Sequence, residues 1–279
     1  YILKERFWER RVMDNALTVG LIGCGQMGRA LLGGFAECRG WLKEITLFDI
    51  EPAKARVLAE EYGARAVDSG YTLAEGADIV IVAVKPPQVK TVLKEIAPAL
   101  NVDKVLVSVA AGVTLASIYE CIDHGIPAVR VMPNVPCLIR QGVSCLSFSS
   151  SVADDKRQLV IELFSTVGLV EVIPEEYMDA VTAVSGSGPA FVFLVAEALT
   201  DAAVDIGLPR DLARRIVNQT LTGSALMMQE TGEHPAVLRE RVTSPGGTTI
   251  AGLKALESGG VRAAYFDAVR AAYNRAFKR

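Results

Sequence analysis

Gly23-x-Gly25-x-x-Gly28 is the feature that most narrows what this chain can fold into. The bare pattern is common. Here it closes the apolar run Leu17–Ile22, opens a stretch with helical spacing, and precedes Asp49 by about twenty residues. Each glycine answers a physical demand: Gly23 permits a tight turn, Gly25 lets backbone approach a pyrophosphate, and Gly28 lets a helix pack closely on a strand. A helix starting at this point offers free N–H groups and a partial positive charge to an anion. In this context the pattern indicates a dinucleotide-binding α/β domain of the Rossmann type, and a glycine turn without a ligand is the weaker reading. Asp49 sits where a carboxylate accepts hydrogen bonds from the adenosine ribose, or caps the helix that Pro52 opens, and the two roles are compatible. A carboxylate there repels a 2′-phosphate, and no arginine comes after it before Arg56, so charge alone favours NADH over NADPH.

The rest of the first half keeps alternating short apolar runs with amphipathic stretches, the pattern of a parallel sheet flanked by helices. Leu17–Ile22, Ile45–Phe48, Asp78–Ala83, Lys104–Ser108, Ala128–Met132, Val143–Phe148 and Leu169–Ile173 read as strands, with helices from the glycine turn to about Arg39 and from Ala153 to Val167. Ligands bind at the C-terminal ends of such strands. Candidates there are Ala83-Val84-Lys85-Pro86, with Lys85 equally readable as a solvated surface residue, and the small residues Val109, Ala110 and Ala111. Asn134, in a proline-stiffened turn, offers an amide to a ligand. Beyond Pro174 strand-like runs give way to long helical segments: Ala190–Ile206, Arg210–Thr231, Pro235–Val242, Thr249–Glu257 and Val261–Lys278. The expected organisation is therefore a dinucleotide-binding domain over residues 16–174 and an all-helical domain over 175–279.

Two glycine-rich clusters mark this second half. Ser185-Gly186-Ser187-Gly188-Pro189 opens a helix and serves equally well as a close-packing cap. In Ser244-Pro245-Gly246-Gly247-Thr248-Thr249, successive N–H groups of Gly246, Gly247 and Thr248 form a candidate nest for a small carboxylate. Apolar residues surround the helix Pro189–Ala196 instead of lining one stripe, so it needs burial on several sides, which a second copy of the chain would supply.

Composition excludes several other chemistries. The five cysteines show no CxxC pair or metal-ligand rhythm and read as free thiols of a cytoplasmic protein. Two histidines, His124 and His234, both in loops, leave little for a metal site or a Ser-His-Asp triad. Net charge is −3 with both signs interspersed, which advertises neither a nucleic-acid nor a membrane partner. The uninterrupted apolar stretches Ile79–Val84 and Ala190–Ala196 are far shorter than a bilayer requires. Residues Tyr1–Asn15 form a charged, weakly amphipathic run unlike the rest of the chain and read as an upstream extension, with Met13 a natural start.

From Leu17 onward the chain resembles the pyrroline-5-carboxylate reductase family. The resemblance is carried by the glycine turn, Ala83-Val84-Lys85-Pro86, Ala110–Thr114, Arg130–Asn134, Asp179–Thr182 with Ser185–Pro189, and Ser244–Ile250 with Glu257–Gly260. It implies hydride transfer from NADPH or NADH to the C=N carbon of 1-pyrroline-5-carboxylate, giving L-proline in the last step of its biosynthesis. It places cofactor contacts on Ile22, Gly23, Cys24, Gly25, Gln26, Met27, Asp49, Ala83, Val84, Lys85, Pro86, Val109, Ala110 and Ala111. It sets the substrate carboxylate on the backbone of Gly246, Gly247 and Thr248, the Thr249 hydroxyl toward the ring nitrogen, and Glu175 near the substrate. Homodimers formed through the helical domain, stacked in many members into rings such as decamers, are also implied. Two positions depart from the pattern: Gly70, where many members carry a polar residue at the ribose, and Arg241, where some carry asparagine near the nicotinamide amide.

Rival readings are a related imine reductase or hydroxyacid dehydrogenase on the same scaffold, and a dinucleotide sensor without turnover. Such dehydrogenases commonly use a lysine of the second domain, yet none lies between Glu175 and Ala251, and Lys254 is the first to appear. A sensor has no use for the Ser244–Thr249 turn.

Overall fold

The computed structural model describes residues 17–38 and 42–277; Arg39 and the extension expected before Met13 lie outside them. The chain runs β1 (Leu17–Ile22), α1 (Gln26–Phe35), β2 (Leu42–Phe48), α2 (Pro52–Tyr62), a two-residue β3 (Arg65–Ala66), α3 (Gly70–Gly76), β4 (Ile79–Val82) and α4 (Pro86–Ile96). It continues through β5 (Val105–Ser108), α5 (Leu115–Tyr119), β6 (Ala128–Met132), β7 (Gly142–Phe148), α6 (Asp154–Ser165) and β8 (Gly168–Val172). These strands form one eight-stranded sheet in the order β3-β2-β1-β4-β5-β6-β7-β8.

The near-continuous apolar strands reflect burial of the sheet on both faces. Val19, Leu21, Ile79, Ile81, Val105 and Val107 point to one side, where Leu31, Phe35 and Phe164 cover them. Val80, Val82 and Leu106 point to the other, under Leu73, Val89, Leu93 and Ile96. Phe35 and Phe164 meet edge to face, ring centroids 5.7 Å apart. α1 packs closely on the turn before β8 where glycine leaves room: a Cβ on Gly34 of α1 would stand 2.3 Å from Val167 Cγ1 and 2.6 Å from Thr166 Oγ1.

The sheet departs from the expected all-parallel pattern at one place, since β6 and β7 pair antiparallel. Only residues 133–141 join them, and they coil into a 3₁₀ turn at Val135–Ile139. A parallel return needs a crossover of about a dozen residues or more, so this link forces reversal. Missing from the sequence-based expectation are β3, α3 and α5, all too short to leave a clear period, and α4, whose opening prolines read only as the end of the preceding strand.

After β8 comes a 3₁₀ turn at Glu175–Tyr177, α7 (Met178–Val181) and a π-helical turn at Thr182–Gly186. One compact unit ends at Gly186, beyond the change of texture at Pro174, and a second spans Ser187–Asn274. The second unit holds α8 (Gly188–Asp205), α9 (Arg210–Thr231), α10 (Pro235–Arg241) and α11 (Thr248–Ser258), and α12 (Val261–Phe277) ends just past it. Gly232 stops α9 in the left-handed region at φ 62°, and His234 caps α10 by accepting the Ala236 N–H on Nδ1.

This helical unit has almost no core of its own. Of its described residues only Thr200, Ala213, Val217 and Leu238 are buried, while Phe193, Leu194 and Phe266 are each more than 60% exposed. The helical run Glu175–Asp205 contains an 18-residue window of mean hydropathy 1.4 and is long and apolar enough to cross a membrane by length and composition, although Glu197, Asp201 and Asp205 interrupt its second half. Apolar surface on this scale marks a face that another molecule covers.

Gly34→Ala is expected to destabilise the fold by about 1–3 kcal/mol, because overpacking against Val167 outweighs the better helix propensity of alanine. Gly76→Ala, where a Cβ would meet nothing within 4 Å, serves as the control. Thermal melts of the two variants check this, and equal midpoints would contradict the packing account.

Candidate functional site

A cleft of about 560 Å³ opens at the C-terminal ends of β1, β2 and β4. From β1 the chain passes to β2 on one side, while β4 pairs on the other, so the cleft lies at the point where strand order reverses. Its wall includes Ile22, Gly23, Gly25, Asp49, Ala83, Val84 and Lys85, all expected at the cofactor. Cys24, Gln26, Met27, Gly28, Pro86 and Val109–Ala111 lie outside that lining.

The glycines act as their spacing suggests. Gly23 adopts φ 103°, and a Cβ on it would lie 2.8 Å from the Ala83 carbonyl. A Cβ on Gly28 would lie 2.0 Å from the Gly23 oxygen, so α1 touches the turn backbone to backbone. At Gly25 a Cβ would meet nothing within 4 Å. Gly25 is also the N-cap of α1, with no side-chain cap bond and no acid in the first turn. Bare N–H groups beside open space suit the diphosphate of a dinucleotide.

Asp49 comes directly after β2 and locks two loops together. Its Oδ2 accepts the Cys24 N–H at 2.7 Å and its Oδ1 accepts the Glu51 N–H at 2.9 Å. It is not the cap of α2, whose N-cap is Glu51. Each carboxylate oxygen keeps a lone pair for a ribose hydroxyl. Burial, and behind it the Asp49 charge, pushes the Cys24 thiol from 9.0 up to about 12.

Sequence patterns missed one side of this cleft. Gln88, Thr91 and Glu95 line it from α4, together with Phe48, Ile50, Glu51 and Lys54. Their signal was present: polar residues at helical spacing directly after Pro86-Pro87.

Asn134 is placed differently from its expected role toward a ligand. It is 8% exposed, its Nδ2 donates to the Ser185 carbonyl and Oγ at 3.2 Å each, and its Oδ1 accepts the Val143 N–H at 2.9 Å. The amide is engaged at both ends, its nitrogen on the π-helical turn and its oxygen on β7. Arg130, a charge inside an apolar strand, does a similar job nearby. Its side chain is 6% exposed and reaches Glu175 and Asp179 at 3.2 Å each. Glu175 Oε1 also accepts the Leu115 N–H at 2.8 Å, so this expected substrate neighbour is firmly anchored.

In the second unit, Gly246 adopts φ 68° and Gly247 is the N-cap of α11. A Cβ on Gly247 would stand 2.3 Å from Ser244 Oγ, so a side chain there would have to turn the Ser244 hydroxyl aside. The Gly247 N–H donates to the Ser244 carbonyl at 3.1 Å, which removes it from the expected nest. Thr248 and Thr249 occupy the first turn, where N–H groups lack helical partners. Thr249 is therefore not a helix cap.

A glycine turn, a helix N-terminus and a carboxylate at the end of β2, gathered around one cleft, define a dinucleotide-binding domain of the Rossmann type. Comparison with known proteins narrows the class. Residues 175–278 match the family model described as pyrroline-5-carboxylate reductase dimerisation, and residues 18–112 match one described as NADP oxidoreductase, coenzyme F420-dependent. Pyrroline-5-carboxylate reductase of Escherichia coli is 41% identical over 90% of this chain and 94% of its own. The structure of a pyrroline-5-carboxylate reductase from Coxiella burnetii superposes with TM-score 0.88 at 35% identity, covering 95% of this chain and 98% of that one. That of the Plasmodium falciparum enzyme with NADP bound gives 0.84 at 33% identity, over 93% and 97%. The chain belongs to the pyrroline-5-carboxylate reductase family.

The raised Cys24 thiol has a measurable consequence. A neutral Cys24 contributes fully below pH 9.0, and its contribution falls as pH rises toward about 12, because the unfolded chain sheds that proton first. Across this window Cys24→Ala is expected to lose less stability than the unsubstituted protein. Parallel alkaline melting profiles for the two would refute the assignment.

Proposed function

We propose that this chain reduces 1-pyrroline-5-carboxylate to L-proline by hydride transfer from NADPH or NADH, the last step of proline biosynthesis. One observation carries the reading: the cleft built by the glycine turn and Asp49 occurs in the same chain as the Ser244–Thr249 turn, at 41% identity to a reductase of that name over 90% of the length. The division of labour falls between residues 16–174, which take the dinucleotide, and 175–279, which take the substrate and pair the subunits.

The nicotinamide supplies the hydride. The protein's part is to bind, orient and polarise. Gly23, Gly25 and the first turn of α1 take the diphosphate, Asp49 takes the ribose hydroxyls, and Ala83, Val84 and Lys85 form the opposite wall. The Gly246 and Thr248 N–H groups receive the substrate carboxylate. As hydride reaches the ring carbon, electron density grows on the adjacent nitrogen. The Thr249 hydroxyl stabilises that change by hydrogen bonding, and the proton comes from water or arrives with an iminium form of the substrate.

The exposed helices of the second unit support a homodimer, with further stacking into a decamer, because a second copy of the chain brings an apolar face that matches its own. Free thiols at Cys24, Cys137 and Cys145 and a net charge of −3 support a cytoplasmic enzyme that contacts neither membrane nor nucleic acid.

Purified protein is expected to oxidise NADH or NADPH only when a five-membered cyclic imine acid is supplied, as read from the absorbance of the reduced cofactor. Turnover on a hydroxyacid in its place would sink the reading. Thr249→Ala is expected to lower kcat/KM roughly tenfold to a hundredfold, the worth of one hydrogen bond to a charging group at about 1.5–3 kcal/mol. Thr249→Ser retains most activity. A stable Thr249→Ala protein with unchanged kcat/KM removes Thr249 from the reaction.

A further inference from the structure

Three carboxylates, those of Asp49, Glu51 and Glu95, line the cleft. Gly70, the first residue of α3, is buried, and a Cβ built on it would stand 3.1 Å from Glu95 Oε1, 3.3 Å from Ile96 Cγ2 and 3.6 Å from Phe48 Cδ1. The Glu95 carboxylate thus borders the space a side chain at position 70 would take, beside the end of β2. It lines the cleft with Asp49 and Glu51, and the cations of the lining are Lys54 and Lys85. The Lys54 ammonium is ion-paired with Glu51. Asp49 accepts from two backbone N–H groups, and of the nearby cations it interacts with Lys54, whose hydrogen-bonded partner is Glu51. Among the described residues no cation is paired with Glu95.

We propose that Glu95, given room by Gly70, is a specificity-determining residue that acts with Asp49 to bar a 2′-phosphate and turn the enzyme toward NADH. The proposal rests on the reading of this cleft as the NAD(P)H site. Ribose hydroxyls donate hydrogen bonds to carboxylates. A phosphate monoester is chiefly a hydrogen-bond acceptor and brings roughly −1.5 to −2 charge near neutral pH, so carboxylates beside it repel it. The same wall therefore attracts one adenosine and repels the other, and a cleft with apolar sides strengthens the contrast. The diphosphate common to both dinucleotides sits at the N-terminus of α1 and does not discriminate.

Titrating NADH and NADPH into the full-length protein without substrate, with cofactor fluorescence as the signal, tests this. The unsubstituted protein is expected to bind NADH more tightly. Glu95→Gln is expected to tighten NADPH binding about three- to tenfold while NADH changes less than about twofold, and the difference should shrink as salt is raised. Glu95→Lys extends the same trend. Glu60→Gln, an exposed position on α2 outside the cleft lining, controls for net charge and leaves the ratio fixed. A ratio unmoved by Glu95→Gln, or tighter NADPH binding by the unsubstituted protein, overturns the role of Glu95. Failure to bind either dinucleotide overturns the reading of the cleft itself.

Discussion

The cofactor half of the molecule depends on one close approach, that of Gly28 to the carbonyl of Gly23. With room for no Cβ between them, α1 starts against the end of β1 and points its unpaired N–H groups across the turn. The Gly23 N–H in turn donates to the Phe48 carbonyl at 2.8 Å, and the Ala83 N–H donates to the Ile22 carbonyl at 2.7 Å, so three strand ends are drawn to one place. Asp49 closes the ring by accepting from Cys24. Remove the contact between the glycines and α1 must retreat, which would separate the groups that make the cleft an anion site.

Much of this was legible in the sequence because it depends on local periodicity. Leu17–Ile22, Ala128–Met132 and Arg210–Thr231 have the same bounds in pattern and in structure. What escaped depends on contacts distant in the chain. The antiparallel β7 could be read only by weighing the length of the 133–141 link against the reach of a crossover. Asn134 looked like a ligand group because its partners, Ser185 and Val143, are chosen by the fold and not by neighbours in the chain. Gln88, Thr91 and Glu95 carry no pattern beyond polar residues at helical spacing, and only the position of α4 over the cleft gives them a role.

The helical unit raises the opposite difficulty. Its elements were plain in the sequence, but their faces have no complement within the unit: α8 buries only Thr200 among its described residues. Length and apolar content make the run Glu175–Asp205 resemble a membrane segment. The family model that matches residues 175–278 is a dimerisation model, which gives those faces a different use.

The buried thiol at the glycine turn has a chemical consequence of its own. Thiols are oxidised and alkylated as thiolates, and accessible low-pKa cysteines react first. Cys24 has the reverse settings, since it is 7% exposed and holds its proton up to about 12. The thiol in the loop that grips a redox carrier is thereby slow to react with oxidants and electrophiles, so a cysteine sits at the cofactor without offering a thiolate to it.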